Sequence, residues 1–391
     1  MPKTDIIAAL TPEITAIRRD IHRHPELMYE VHRTAGLVAD KLREWGVDEV
    51  VTGIGQTGVV GVIKGRNAAS GKVIGLRADM DALPIHEETN LEHRSTIPGK
   101  MHACGHDGHT AMLLGAAKYL TETRDFDGTA VLIFQPAEEG GAGAKAMIDD
   151  GLITRFGIQE VYGMHNKPGV PVGQFEITKG PAMAAADRIH IKIEGKGGHA
   201  AAPHNSNDPI VACCALVSAL QTVASRNVNP LDSMVVSVTA LNAGEAFNVI
   251  PQTAEIKGTV RTLTPETRAI AQKRITAIVE GVMKAFDMKY ELEYHLGYPV
   301  TFNHHGQTDF ATSVTKETFG SDAITTDIPP TMGSEDFSYM LEERPGSFIN
   351  IGNGDSAGLH HPAYEFNDAV IPVGVKYWAS LIEIAMPQRA A

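Results

Sequence analysis

Short apolar runs that each end in a polar cluster recur along the chain. Val73-Ile74-Gly75-Leu76 leads into Arg77-Ala78-Asp79-Met80-Asp81, and Ala130-Val131-Leu132-Ile133-Phe134 leads into Gln135-Pro136-Ala137-Glu138-Glu139. Val161-Tyr162-Gly163-Met164 leads into His165, and Phe348-Ile349-Asn350-Ile351-Gly352 precedes a loop holding His360 and His361. Runs of this length without alternation read as strands buried on both faces, the pattern of a mostly parallel sheet covered by helices. Helical spacing lies between them: Ala35, Leu37, Val38, Leu42 and Trp45 repeat on one face and Gly46 follows as a stop. Near the start, Thr11, Pro12 and Glu13 read as the cap, first turn and dipole-matching acid of an opening helix.

Residues 185–296 follow another rhythm. Arg188-Ile189-His190-Ile191-Lys192-Ile193-Glu194 alternates, so one face is wet. Asp208 and Pro209 start a helix that runs to about Arg226, Met234 to Leu241 and Thr253 to Arg261 are strand-like, Thr264-Pro265-Glu266 starts a second helix, and Lys289 to His295 alternates again. The order β-α-β-β-α-β predicts a ferredoxin-like unit. It interrupts a larger, three-layer α/β domain formed by residues 1–184 and 297–391. In parallel sheets ligands bind beyond the carboxyl ends of the strands, where the polar clusters fall.

Composition narrows the class. The 391 residues exceed the roughly 100–200 of one ordinary domain, so two domains are expected. Lys+Arg 34 against Asp+Glu 47 leaves a net charge of −13, which disfavours nucleic acid and anionic membrane surfaces as partners. Three cysteines, two of them adjacent at Cys213 and Cys214, make no disulfide framework and suit a reducing compartment. Met1 to Thr15 carries Lys3, Asp5 and Glu13 and lacks the apolar core of a signal peptide. No run reaches roughly 18 uncharged apolar residues. The expectation is a cytoplasmic protein with no membrane partner.

The densest chemistry is Met101-His102-Ala103-Cys104-Gly105-His106-Asp107-Gly108-His109. Cys104 and His106 share a face if the loop is extended, and thiolate with imidazole suits Zn²⁺, or Mn²⁺, Co²⁺ or Ni²⁺. The same stretch also reads as a buried loop with capping histidines. Glu138 and Glu139 close an apolar strand, and extended geometry would point them to opposite sides, one to a metal and one to a reacting centre. Cys104, His106, Glu139, His165 and His360 make five candidate ligands, which with a bridging water suit two ions about 3.5–4 Å apart. Asp79 and Asp81 read as a helix cap or as groups that hold a ligand or base in place. In the inserted domain, His199 and Asn248 are hydrogen-bond donors fit to polarise a carbonyl, and equally fit to be turn residues.

These residues resemble a known family. Arg77-Ala-Asp-Met-Asp-Ala-Leu-Pro84, His102-Ala-Cys-Gly-His-Asp107, Gln135-Pro-Ala-Glu-Glu-Gly140, Gly163-Met-His165 and Leu359-His-His-Pro362 are similar to motifs of the metal-dependent amidohydrolases. That group includes hippurate hydrolases, bacterial aminoacylases and indoleacetyl-amino-acid hydrolases, within the wider co-catalytic metallopeptidase superfamily. The resemblance implies Cys104, His106, Glu139, His165 and His360 as ligands of two divalent metals (Mn²⁺ or Zn²⁺, with Co²⁺ or Ni²⁺ as substitutes) and Glu138 as general base. Asp81 matches the aspartate of the superfamily's H-x-D motif, while Asp79 stands where other branches carry a ligating histidine. The first histidine of Leu359-His360-His361-Pro362 is taken as the ligand. His199 and Asn248 are implied as substrate contacts, Asn248 from a partner subunit, and the inserted domain as the lid and the contact of a homodimer or higher homo-oligomer. The implied reaction is hydrolysis of an N-acyl amino acid to a carboxylic acid and a free amino acid. A dipeptidase or carboxypeptidase with the same centre, or an indoleacetyl-amino-acid conjugate hydrolase, is the alternative. A non-catalytic module is disfavoured by the complete ligand set with Glu138, and a dithiol redox protein by the lack of a second nearby cysteine. Arg261 pairs either with the substrate carboxylate or with a surface acid.

Overall fold

Burial on both faces is what makes the apolar runs strands. The computed structural model describes residues 2–388. It contains β1 (Glu49–Ile54), β2 (Gly58–Lys64), β3 (Val73–Asp79), β4 (Thr129–Gln135) and β5 (Glu160–Pro168). In β3 and β4 every residue after the first is buried. They belong to an eight-stranded sheet ordered β1-β2-β4-β3-β5, then Gly346–Gly354, Phe175–Glu176 and Ile324–Thr325. The centre is parallel: β4, β3, β5 and Gly346–Gly354 all run the same way. Antiparallel pairing joins β1 to β2, β2 to β4, and Gly346–Gly354 to Phe175–Glu176. Parallel direction brings the carboxyl ends of the central strands to one edge, and register aligns Asp79 with Gln135 and His165 with Asn350.

Three helices pack with this sheet and with one another: α1 (Thr4–Arg23), α2 (His32–Glu44) and α3 (His106–Thr123). Helix α3 is buried along nearly its whole length because it packs against β3, α1 and the last helix, Ile371–Ala385. Helix α1 begins at Thr4, earlier than Thr11 and Pro12 suggest. Pro12 lies inside it, and the Thr11 hydroxyl donates to the Ile7 carbonyl at 2.7 Å. An interior proline costs about 3 kcal/mol. The stripe Ile7, Leu10, Ile14, Ile17 and Ile21 stays on one buried face across it. At about 1.5–3 kcal/mol for each buried side chain, that stripe outweighs the proline.

The chain divides into two compact units, the smaller being Pro181–Thr301 with Pro330–Glu335. The segment Pro330–Glu335, which the apolar pattern leaves with the larger domain, groups with the smaller unit. In the smaller unit an antiparallel sheet is ordered Met234–Ala243, Thr253–Thr262, Ala185–Glu194, Lys289–His295. Helices Pro209–Asn227 and Pro265–Ala285 complete the β-α-β-β-α-β order. Ile189, Ile191 and Ile193 point into a core with Leu216, Leu220, Ile275 and Val279, and the alternate residues face outwards. The Asp208 carboxylate caps the first helix by accepting from the Ile210 N–H at 2.8 Å, and Thr264 forms a capping box with Thr267. By length and composition Pro209–Asn227 is apolar enough to cross a membrane, although Ser218, Gln221 and Thr222 interrupt its apolar run. Ala212, Cys213, Leu216, Leu220 and Val223 of that helix lie in the core of the unit.

Asp187 ties this unit together. Buried at the start of its first strand, it accepts from Arg268 Nε at 3.1 Å, Tyr294 Oη at 3.1 Å and the Gly297 N–H at 3.1 Å. Asp187→Ala strands the mostly buried Arg268 without its partner and is expected to cost about 3–5 kcal/mol. Calorimetry and denaturant unfolding would show it as an early transition; an unchanged melting profile would contradict this account.

Candidate metal centre

The loop that carries Cys104 and His106 is shaped by one glycine. Gly105 has φ +94, and a Cβ there would sit 2.2 Å from Asn166 Nδ2 and 2.6 Å from Tyr364 Oη. Only glycine fits both the left-handed backbone and the close approach. The chain therefore turns directly into α3, so that His106 is its first residue. Asn166 Nδ2 donates to the Cys104 carbonyl at 2.6 Å, and Tyr364 Oη donates to Asn166 Oδ1 at 2.7 Å.

Glu138 and Glu139 are not on an extended segment, as the strand pattern suggests. Ala137 and Ala142 both take left-handed conformations, at φ 54 and φ 57, and Glu138–Gly141 forms a tight turn between them. The strain is held from outside. The two oxygens of the Asp81 carboxylate accept from the Glu138 N–H at 3.0 Å and the Glu139 N–H at 3.1 Å. Both side chains are largely buried. His165 lies within β5, three residues from its end, because pairing with Gly346–Gly354 carries the strand on to Pro168. His360 has φ 64, a left-handed conformation rare outside glycine, and this aims its ring.

Five side chains meet. Cys104 Sγ, a His106 nitrogen and a His165 nitrogen lie within 4.8 Å of one another, as do donor atoms of Cys104, Glu139 and His360. Individual distances are 3.4 Å from Cys104 Sγ to His165 Nε2 and 3.3 Å from His360 Nε2 to Glu139 Oε1. His106 Nε2 lies 3.9 Å from Glu139 Oε1. His361 is elsewhere: its Nδ1 accepts from the Ala363 N–H at 3.0 Å.

The donor chemistry fits metal ions. His106 Nδ1 is bound to the Asp81 carbonyl at 2.8 Å and His165 Nδ1 to the Asn166 carbonyl at 2.7 Å. Each Nδ1 is thus engaged on the outside, and each Nε2 faces inwards, where a metal would take it. The buried His106 Nε2 carries no hydrogen bond among the described residues, and Glu139 Oε1 is paired with His360. Burial holds His165 well below the usual histidine range, so it stands neutral, the form that ligates. Burial also opposes the charge on Glu139, but contact with His360 and the charge of His106 outweigh it and lower its pKa. Hydrogen bonding to Cys104 and Glu139 pushes His360 up to about 10. The cluster thus offers a soft sulfur and a hard carboxylate donor around a shared centre. Two overlapping groups of three donors, sharing Cys104, match two ions better than one.

A third histidine of the same motif is excluded. His109 lies near Asp79 and His106. Its Nδ1 is bound to Asp79 Oδ1 at 2.6 Å, and its Nε2 accepts from the Asn166 N–H at 3.0 Å. Both nitrogens are engaged, so His109 is no ligand. Asp79 accordingly holds His109 and Arg77, the latter at 2.7 Å. Burial raises its pKa, but the charge of Arg77 overrides this and holds the carboxyl well below the usual range.

His199 and Asn248 belong to the smaller unit and are exposed. They are neighbours: Gly198–His199 pairs with Val249–Ile250, and the Ala200 N–H donates to the Asn248 carbonyl at 3.0 Å. His199 Nδ1 accepts from the Ala201 N–H at 3.0 Å, which leaves Nε2–H as its free donor. Arg261 is half-buried and makes no ion pair among the described residues; burial and the charge of Arg188 lower its pKa. Reading the sequence alone misses Asn166, Tyr364 and Asp336. Asn166 and Tyr364 carry no pattern of their own. Asp336 sits in Gly333-Ser334-Glu335-Asp336, an acidic turn signal that could have found it.

Comparison with known proteins agrees with this geometry. Residues 75–384 match peptidase family M20/M25/M40. The chain is 46% identical over 375 residues to the hippurate hydrolase of Campylobacter jejuni, covering 96% of this chain and 97% of that protein. It is 43% identical over 366 residues to N-acetyl-L-cysteine deacetylase of Bacillus subtilis, covering 93% and 86%. Among solved structures, the Bacillus subtilis YXEP protein, a dinuclear metal binding peptidase from the M20 family, superposes with a TM-score of 0.84 at 35% identity, covering 97% and 99%. A match over most of the chain, with relatives above 40% identity along nearly their whole length, makes this protein a member of peptidase family M20/M25/M40.

Proposed function

We propose that the chain hydrolyses the amide bond of N-acyl amino acids at a centre of two divalent metal ions, releasing a carboxylic acid and a free amino acid. The observation that carries this reading is a further buried acid, Glu138, fixed beside a cluster of five donors. Its similarity to a hippurate hydrolase and an N-acetylcysteine deacetylase supports the substrate class. Cys104, His106, Glu139, His165 and His360 hold the ions, Mn²⁺ or Zn²⁺ in the first place, with Co²⁺ or Ni²⁺ as substitutes.

When bound, such ions make a water acidic near neutral pH and polarise a carbonyl oxygen. The protein's own groups do the rest. Glu138 takes a proton from the attacking water and passes it to the leaving nitrogen. Asp81 keeps Glu138 and Glu139 on their turn and so keeps the base pointed at the amide. His199 Nε2–H and the Asn248 amide donate hydrogen bonds to the substrate's carbonyl or carboxylate, stabilising the developing oxyanion. The protein works in the cytoplasm as a homodimer through the inserted unit. The fully exposed Phe247 and half-exposed Val249, on either side of Asn248, support that assignment.

Removing the metals is expected to abolish turnover, and adding Mn²⁺, Zn²⁺, Co²⁺ or Ni²⁺ separately to restore it. The assay panel is hippurate, N-acetyl amino acids, indoleacetyl-amino acids and dipeptides. Rates highest on N-acyl amino acids support the proposal; dipeptides cleaved fastest with every metal would move the assignment to a peptidase. Glu138→Ala is expected to retain its metals by elemental analysis and to lose about 10²–10⁴-fold in kcat. Free turnover by that variant would show that another group is the base.

A further inference from the structure

A single buried guanidinium lies between the two halves of the centre. Arg77, at 1% exposure, spreads all three nitrogens over different partners. Nε donates to Gln135 Oε1 at 2.8 Å, Nη1 to Asp79 Oδ2 at 2.7 Å and Nη2 to Asp336 Oδ1 at 3.0 Å. Its neighbours lead away in two directions.

Through Asp79 the chain of contacts reaches the ligand loop. Asp79 Oδ1 accepts from His109 Nδ1 at 2.6 Å. His109 Nε2 accepts from the Asn166 N–H at 3.0 Å, and the Asn166 side chain holds the Cys104 carbonyl at 2.6 Å. Asn166 also follows His165 directly and supplies the carbonyl that fixes the His165 ring. Through Asp336 the contacts reach the base. The Asp336 carboxylate accepts from Gln135 Nε2 at 2.8 Å and from the Ala144 N–H at 2.9 Å, just past the acidic turn. The Asp336 N–H lies 3.4 Å from Glu138 Oε1.

We propose that Arg77 is a positioning residue that holds the ligand loop, through Asp79, and the Glu138 turn, through Asp336, in one fixed register. This rests on the metal-dependent reading of the site. The physical reason is that each carboxylate, wholly buried, must stay beside its counter-charge, and both share the same rigid planar group. Movement of either half away from the other would strand a buried charge. A point charge could neutralise the pair, but only a planar fork sets the angle between them. Charge alone therefore predicts that lysine suffices, and positioning predicts that it does not.

Two variants separate the arms, each measured as the full-length protein. Arg77→Lys keeps the charge and loses the fork. Apo-protein titrated with Co²⁺, followed by its visible absorption, is expected to bind about 10–100-fold more weakly than wild type, and kcat on hippurate to fall by a comparable factor with KM little changed. Asp336→Asn leaves the Arg77–Asp79 arm in place. It is expected to keep Co²⁺ affinity within about twofold while kcat drops about 10²-fold, the cost of a displaced base. Denaturant unfolding of both apo-variants shows whether each is folded, and should Arg77→Lys not fold, Asp336→Asn decides. Wild-type Co²⁺ affinity, absorption spectrum and kcat in Arg77→Lys, or a parallel loss of affinity and kcat in Asp336→Asn, would overturn the proposal. If wild type turns over no member of the panel, the substrate assignment fails separately, and the Co²⁺ titration of Arg77→Lys still tests the clamp.

Discussion

Asp81 is shared between two tasks on which the rest of the centre depends. Its carboxylate takes the two N–H groups that start the acidic turn, and its carbonyl takes the Nδ1 proton of His106. One residue just beyond β3 therefore sets both the turn that follows β4 and the first side chain of α3. The left-handed backbone at Ala137 costs of the order of 1–3 kcal/mol and persists only where its surroundings hold it. Two hydrogen bonds to an ionised acceptor, each about 1.5–3 kcal/mol, are enough to hold it.

Around that point the sheet edge gathers an unusual density of buried acids. Asp79, Asp81, Glu138 and Asp336 are all buried, and Glu139 nearly so. Three of them have a specific compensation: Arg77 serves Asp79 and Asp336, and backbone N–H groups serve Asp81. Beneath the loop, α1 adds another layer. Arg18 Nε and His22 Nδ1 both lie 2.8 Å from Asp107 Oδ2. Burial raises the pKa of Asp107, yet the charge of Arg18 holds it far below the normal carboxylate range. Within the cluster, the inward His106 Nε2 has no hydrogen bond among the described residues, and Glu139 Oε1 faces His360 Nε2 at 3.3 Å. A buried cluster of imidazole, sulfur and carboxylate donors of this kind is suited to receive cations.

Much of the fold is legible in the chain because its signals are local. Unbroken apolar runs mark the buried strands, strict alternation marks the half-exposed sheet of residues 185–296, and Asp208 and Thr264 mark helix starts that act as caps in the structure. Local signals mislead where distant burial wins. Pro12 reads as a first turn, but the stripe from Ile7 to Ile21 carries the helix through it. Glu138 and Glu139 read as an extended strand end, but Asp81, far away in sequence, folds them into a turn. The helix Pro209–Asn227 shows a further limit: its composition would suit a membrane span, and only packing shows one face lying in a core.

The kinds of side chain available, and their attachment to strand ends and a glycine-punctuated loop, were decided by the sequence alone. Residue type and short-range spacing are properties of the chain itself. Which nitrogen of each histidine faces inwards, that His360 rather than His361 joins the cluster, and that His109 is occupied elsewhere were decided by the tertiary structure. Those choices depend on hydrogen-bond partners such as Asn166 and Asp81, brought close only when the parallel strands align their carboxyl ends.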